Sequence, residues 1–168
     1  MRYHRKGLNH SRKTRMAKNH QDKRRDGVSP QTDELASTLL GDALDLLAAG
    51  EDLGVLLAIG DDAGHVASYR FADDGEEELL AGAREQVAAT VRAHGDREAE
   101  LGEPVRYSLA YEGAVADEAG VYQDALLFEF GEKGYKAYSA YSYVKGKGTG
   151  DRFQWTDAAP AGEVEPLL

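Results

Sequence analysis

The chain has 168 residues, no cysteine and a formal net charge of −10, which gives length for one ordinary domain with a buried core and too little for two. Without cysteine it can hold no disulfide, no thiolate metal site and no cysteine nucleophile, which fits a reducing cytoplasm, and no apolar run approaches the roughly 20 residues that span a bilayer. The charge is unevenly placed: residues 1–27 carry ten Lys/Arg against Asp22 and Asp26, whereas residues 28–168 carry ten Lys/Arg against 28 Asp/Glu.

Residues 1–27 read as a basic, disordered arm. Leu8 and Met16 are too few to make a helix stripe, and such a segment cannot bury enough surface to offset its ordering entropy. Three roles stay open for it: an arm holding nucleic-acid phosphates, a tether folding back on the acidic body, or sequence upstream of the true start, since composition changes abruptly at Val28-Ser29-Pro30. Nucleic acid is a partner only if the arm is real. No apolar stretch follows the first charges, so the segment does not read as a secretory signal.

The acidic body is expected over residues 28–156. Ser29 as N-cap, Pro30 at the first helical position and Asp33 and Glu34 in the first turn predict a helix, with Leu35, Leu39, Ala43, Leu46 and Leu47 as its apolar stripe and Gly50 as its stop. Val55–Ile59 and His65–Phe71, split by Gly60-Asp61-Asp62-Ala63-Gly64, predict a β-hairpin. Glu76–His94 predicts a second helix on the four-residue spacing of Leu79, Ala83, Val87 and Val91, stopped by Gly95. Three strands follow, over Val105–Glu112, Val121–Phe130 and Tyr135–Val144, with a short edge strand within Arg152–Thr156 after a flexible turn over Lys145–Gly150. In the first of these, Val105, Tyr107, Leu109 and Tyr111 share one face and Arg106, Ser108, Ala110 and Glu112 the other. Residues 157–168, with Pro160 and Pro166, read as a C-terminal tail.

The fold class is therefore α+β: an antiparallel sheet of five or six strands, in the order helix-strand-strand-helix-strand-strand-strand, packed by two helices. This order resembles profilin-like and roadblock-like folds in topology, a likeness that implies no activity. A second resemblance rests on Tyr107-Ser108-Leu109-Ala110-Tyr111-Glu112-Gly113 with Asp124-Ala125-Leu126-Leu127-Phe128-Glu129-Phe130-Gly131-Glu132-Lys133-Gly134. The segment is similar to a strand, loop, strand and E-x-G-E-x-G turn in uncharacterised bacterial proteins, and it implies no functional residue.

No motif assigns a catalytic residue, a metal or a cofactor. Asp61, Asp62 and His65 are metal-type ligands within five residues, but Asp and Gly are also what turns are built from. Glu129, between Phe128 and Phe130, is costly to bury without a partner and would have a raised pKa if it lacked one; Arg106 or Lys136 on neighbouring strands are candidate partners. Lys145–Gly150 lacks the Gly-Lys-Ser/Thr ending of a phosphate loop. Seven of the nine tyrosines fall between positions 107 and 143.

The first functional expectation is a non-enzymatic interaction module. It would engage a protein partner, or a second copy of itself, through a sheet face or edge bearing Tyr135, Tyr138, Tyr141 and Glu129. The alternative is a small-ligand or enzyme domain with a pocket between sheet and helices, using Glu129, His65 or His94 in acid–base roles.

Overall fold

In a computed structural model, residues 23–168 are described, and the order of elements is α1 (Pro30–Ala48), β1 (Val55–Asp61), β2 (Val66–Phe71), α2 (Glu76–Arg92), β3 (Pro104–Ala116), β4 (Tyr122–Glu132), β5 (Ala137–Lys145), β6 (Gln154–Trp155) and β7 (Ala159–Val164). The strands form one antiparallel sheet in the order β2-β1-β3-β4-β5-β6, with β7 also paired to β5. The fold is α+β. Strands β2 and β3 flank β1, and the connection between them carries α2 across the sheet. From β3 onward each strand pairs with the next, because short hairpins make the neighbouring strand the easiest partner.

α1 starts as its sequence dictates. The Ser29 hydroxyl accepts the Thr32 N–H at 3.2 Å, and Pro30 takes a position where its missing N–H costs nothing. The cap is also tied to the sheet, since Ser29 and Thr32 both donate their hydroxyls to Glu132 of β4. At the other end Gly50, at φ +86°, donates to Leu47 O and Glu51 donates to Leu46 O, a paired closure that needs a left-handed residue. α2 closes in the same way with a different residue. His94, at φ 59°, holds the left-handed position one residue before the expected Gly95 stop, donating to Val91 O while Gly95 donates to Thr90 O.

The two helices take opposite faces of the sheet. Leu35, Leu39, Ala43, Leu44 and Leu47 of α1 pack on Leu56, Ala58, Ala110, Leu126, Phe128 and Ala140. Ala83 and Val87 of α2 pack on Val55, Leu57, Ile59, Ala67 and Leu109. Strands β1 and β3 are buried on both faces, which explains why β1 reads as a continuous apolar run rather than an alternation.

Three boundaries differ from the sequence reading. The expected tail contains β7, which pairs Ala137–Tyr141 in register with Val164–Ala159, so the sheet has seven strands and not five or six. Pro160 is accommodated because β7 is an outer strand and the register shifts beside it. The arm is expected to run to residue 27, yet Arg25 accepts from Lys136 N–H and donates to Gly134 O, both at 2.9 Å, and its guanidinium lies 4.8 Å from the Tyr135 ring centroid. The nucleic-acid, tether and upstream-start readings rest on residues 1–22, which lie outside the described residues. Finally, the Lys145–Gly150 turn is fastened: Lys147 Nζ lies 2.8 Å from Asp52 Oδ1 and 3.1 Å from Glu112 Oε1, and Gly148 donates to Leu47 O at 2.9 Å. Among the described residues no helix is long and apolar enough to cross a membrane.

Candidate functional site

The tyrosines do not make one surface, because a strand turns successive side chains to opposite faces. Tyr138 points to the α1 side, is 4% exposed, lies 6.4 Å from Phe130 between ring centroids, and its phenol oxygen accepts the Gly27 N–H at 2.9 Å. Tyr135 precedes β5 and lies under Arg25. Tyr141 points to the α2 side. The expected trio of Tyr135, Tyr138 and Tyr141 is thus divided, since its three-residue spacing would share a face on a helix and cannot on a strand.

A different set does come together on the α2 side. Cross-strand register places Tyr111, Leu127 and Tyr141 in one row over β3, β4 and β5, and Ala125 and Tyr143 in the next. The Tyr141 and Tyr143 rings meet edge to face at 5.2 Å, and the Tyr143 hydroxyl donates to Ala116 O at 3.0 Å. α2 packs on β1, β2 and β3. Tyr111 borders the α2 core, the tyrosines and Leu127 beyond it are half-buried, and no described helix packs on β4 and β5 on this side. Tyr143 is not among the residues expected from the sequence, although its two-residue offset from Tyr141 is the spacing that shares a strand face.

Glu129 sits at the edge of this row, 8% exposed, in register with Leu109 and Ser139. Its partners are the Tyr111 hydroxyl at 3.2 Å and Arg84 of α2 at 3.5 Å. They are not Arg106 or Lys136. Arg106 occupies an even position on β3 and so faces the α1 side, where it lies 3.7 Å from Glu132, while Lys136 pairs with Asp26 at 3.0 Å. Burial, and then the Glu129 charge and hydrogen bond, push the Tyr111 phenol up to about 12. The Tyr107 phenol also reaches about 12, through burial first and the Glu129 charge beside it; its oxygen accepts the Leu167 N–H at 3.2 Å. Tyr143 is raised by burial, by Tyr141, and by Asp117 and Glu118. Carboxylates therefore ring the aromatic row on several sides.

On the α1 side the β1–β2 turn is built on Asp61. Its Oδ1 accepts N–H groups from Ala63 and His65, both at 2.9 Å, and its Oδ2 accepts Gly102 N–H at 2.8 Å and contacts His65 Nδ1 at 3.0 Å. Burial alone would raise the Asp61 pKa, but these donors overcome it and hold the carboxyl well below the usual range. A carboxylate with that many donors is a turn organiser, and among the described residues no group of three His, Asp or Glu is placed to hold a metal. Next to this turn, α1 and the β1–β2 hairpin line an open cavity of about 280 Å³ with Arg106 and His65 in its wall.

The acid–base candidates do not converge. Glu129 lies on the α2 side, His65 opens on the α1-side cavity, and His94 stands past the end of α2 with its Nδ1 2.9 Å from Glu103. Compared with known proteins, the chain matches no family model, no curated protein and no solved structure. The functional reading therefore rests on this geometry.

Proposed function

We propose that the protein is a non-enzymatic interaction module of the cytoplasm, and that it binds a cationic segment of a partner protein over the row Tyr111, Leu127, Tyr141 and Tyr143. The observation that carries this is that Leu127, Tyr141 and Tyr143 of the row lie half-buried on the β4–β5 part of the sheet that α2 does not pack on, with Tyr111 at the border of the α2 core. Tyrosine supplies broad contact area at low entropic cost, and a ring face attracts a guanidinium or ammonium group by roughly 0.5–2 kcal/mol. Carboxylates of Glu129, Asp117 and Glu118 act on these same phenols, so the surface favours positive charge.

Titration calorimetry with an arginine-rich peptide tests the reading on the full chain. Binding should weaken about tenfold for Tyr141→Ala and should fall as salt rises. Binding that Tyr141→Ala and Leu127→Ala leave unchanged would reject it.

A second reading is self-association along β2. That edge carries six residues without proline or bulge, whereas the opposite edge is blunted by Pro160, a register shift and the two-residue β6. A dimer in light scattering that Tyr141→Ala leaves intact and Ser68→Pro abolishes would assign the interaction to β2 instead.

A further inference from the structure

We infer that the cavity between α1 and the β1–β2 hairpin is a binding site for a basic α-amino acid, of the lysine, ornithine or arginine type. At about 280 Å³ it is close to the lower limit of about 300 Å³ for small-molecule sites. Its lining separates three kinds of chemistry along one axis.

The first is a cation in the wall. Arg106 is 9% exposed; one guanidinium nitrogen donates to Asp61 O at 2.9 Å and another lies 3.7 Å from Glu132, but Nε has no hydrogen-bond partner. What the cavity meets is the charge of the guanidinium, which among the described residues only Glu132, at 3.7 Å, faces as a carboxylate, so a ligand carboxylate seated against this wall gains a cationic partner. The second is a pair of exposed carboxylates on α1, Glu34 and Asp42, both lining the cavity. They are eight residues apart, roughly 12 Å along the helix, so they address two cationic groups and not one. The third is an apolar strip between them, where Leu35 and Leu39 face Ala58.

A basic α-amino acid matches all three. Its carboxylate meets Arg106, its α-ammonium meets Glu34 near the start of α1, its methylenes lie on the leucines, and its terminal cation reaches Asp42. Arg106 and Glu34 fall at the same end of the cavity because the α1 cap is bound to Glu132, which is in register with Arg106. A diamine would leave Arg106 unmatched, and an aliphatic amino acid would leave Asp42 unmatched. The site is on the face opposite the tyrosine row, so its occupancy and partner binding are separate properties.

The experiment is calorimetric titration of the full chain with L-lysine, L-ornithine and L-arginine, with cadaverine and L-norleucine as controls, followed by Asp42→Asn and Glu34→Gln. Both substitutions are at exposed helix positions and should leave the fold intact by circular dichroism. At least one of the three basic amino acids should bind, with both controls and both variants about tenfold weaker or worse. No binding of any basic amino acid at millimolar concentration would overturn the assignment. So would cadaverine or norleucine binding as tightly as the best of them, or binding indifferent to Asp42→Asn.

Discussion

The two faces of this sheet are built from the same strands and finished differently. On the α1 side, five apolar residues of one helix close over a leucine and alanine floor, and the helix is fixed at both ends, by Glu132 at its cap and by Gly148 and Lys147 beside its C-terminus. On the α2 side, a helix with fewer buried positions covers β1 to β3 and leaves β4 and β5 to tyrosines, a leucine and a paired carboxylate. The first face is finished by burial. The second leaves Leu127, Tyr141 and Tyr143 half-buried with no described helix packed on their strands.

Adjacent residues on β4 give the sharpest way to break that contrast. Leu126, fully buried under α1, should cost about 2–5 kcal/mol as Leu126→Ala. Leu127, half-buried on the other side, should cost under about 1 kcal/mol as Leu127→Ala while weakening peptide binding. Urea denaturation of the pair measures both, and equal losses would mean that the α2 side is sealed as well.

Buried carboxylates extend the comparison. Asp61→Ala removes the acceptor of three backbone N–H groups and should destabilise by about 2–4 kcal/mol, whereas Glu129→Gln, which loosens one hydroxyl and a half-exposed Arg84, should cost under about 1 kcal/mol. Because the folded Asp61 pKa is depressed, its contribution is full above the ordinary carboxylate pKa near 4 and is lost only as pH falls well below it. Acid unfolding curves should therefore lose their lowest-pH component in Asp61→Ala.

The tyrosines predict the opposite end of the pH scale. With the Tyr111 and Tyr107 phenols raised to about 12, the neutral forms favour the fold; that stability is full below about pH 10 and fades as pH rises through about 12. Phenolate absorbance should show a late-titrating component that shrinks in Tyr111→Phe. The smallest effect is at the α2 terminus. His94 in the left-handed region costs about 1 kcal/mol, which His94→Gly should return as a higher melting temperature.

Much of this fold was legible from its letters. The Ser29-Pro30 start of α1, the Gly50 stop, the Asp-Gly turn and the alternation of β3 each state a local rule that packing did not overrule. β7 was not legible, because Pro160 and Gly162 argue for a loop and only the open edge of β5 makes a strand there favourable. The site was half legible. Glu129 and Tyr141 were readable as candidates, but Arg84 arrives from a helix whose placement over β3 is tertiary, and the cavity depends on how far α1 stands from β2, which no residue spacing encodes.

The central claim is that the uncovered strip of the α2 side is the binding surface. The direct test is a two-dimensional amide NMR titration of the full chain with an arginine-rich peptide. Shifts concentrated on Tyr111, Leu127, Tyr141 and Tyr143, with the α1 residues unmoved, are the result this account requires; shifts spread over the acidic surface, or confined to α1 and the β1–β2 hairpin, would contradict it.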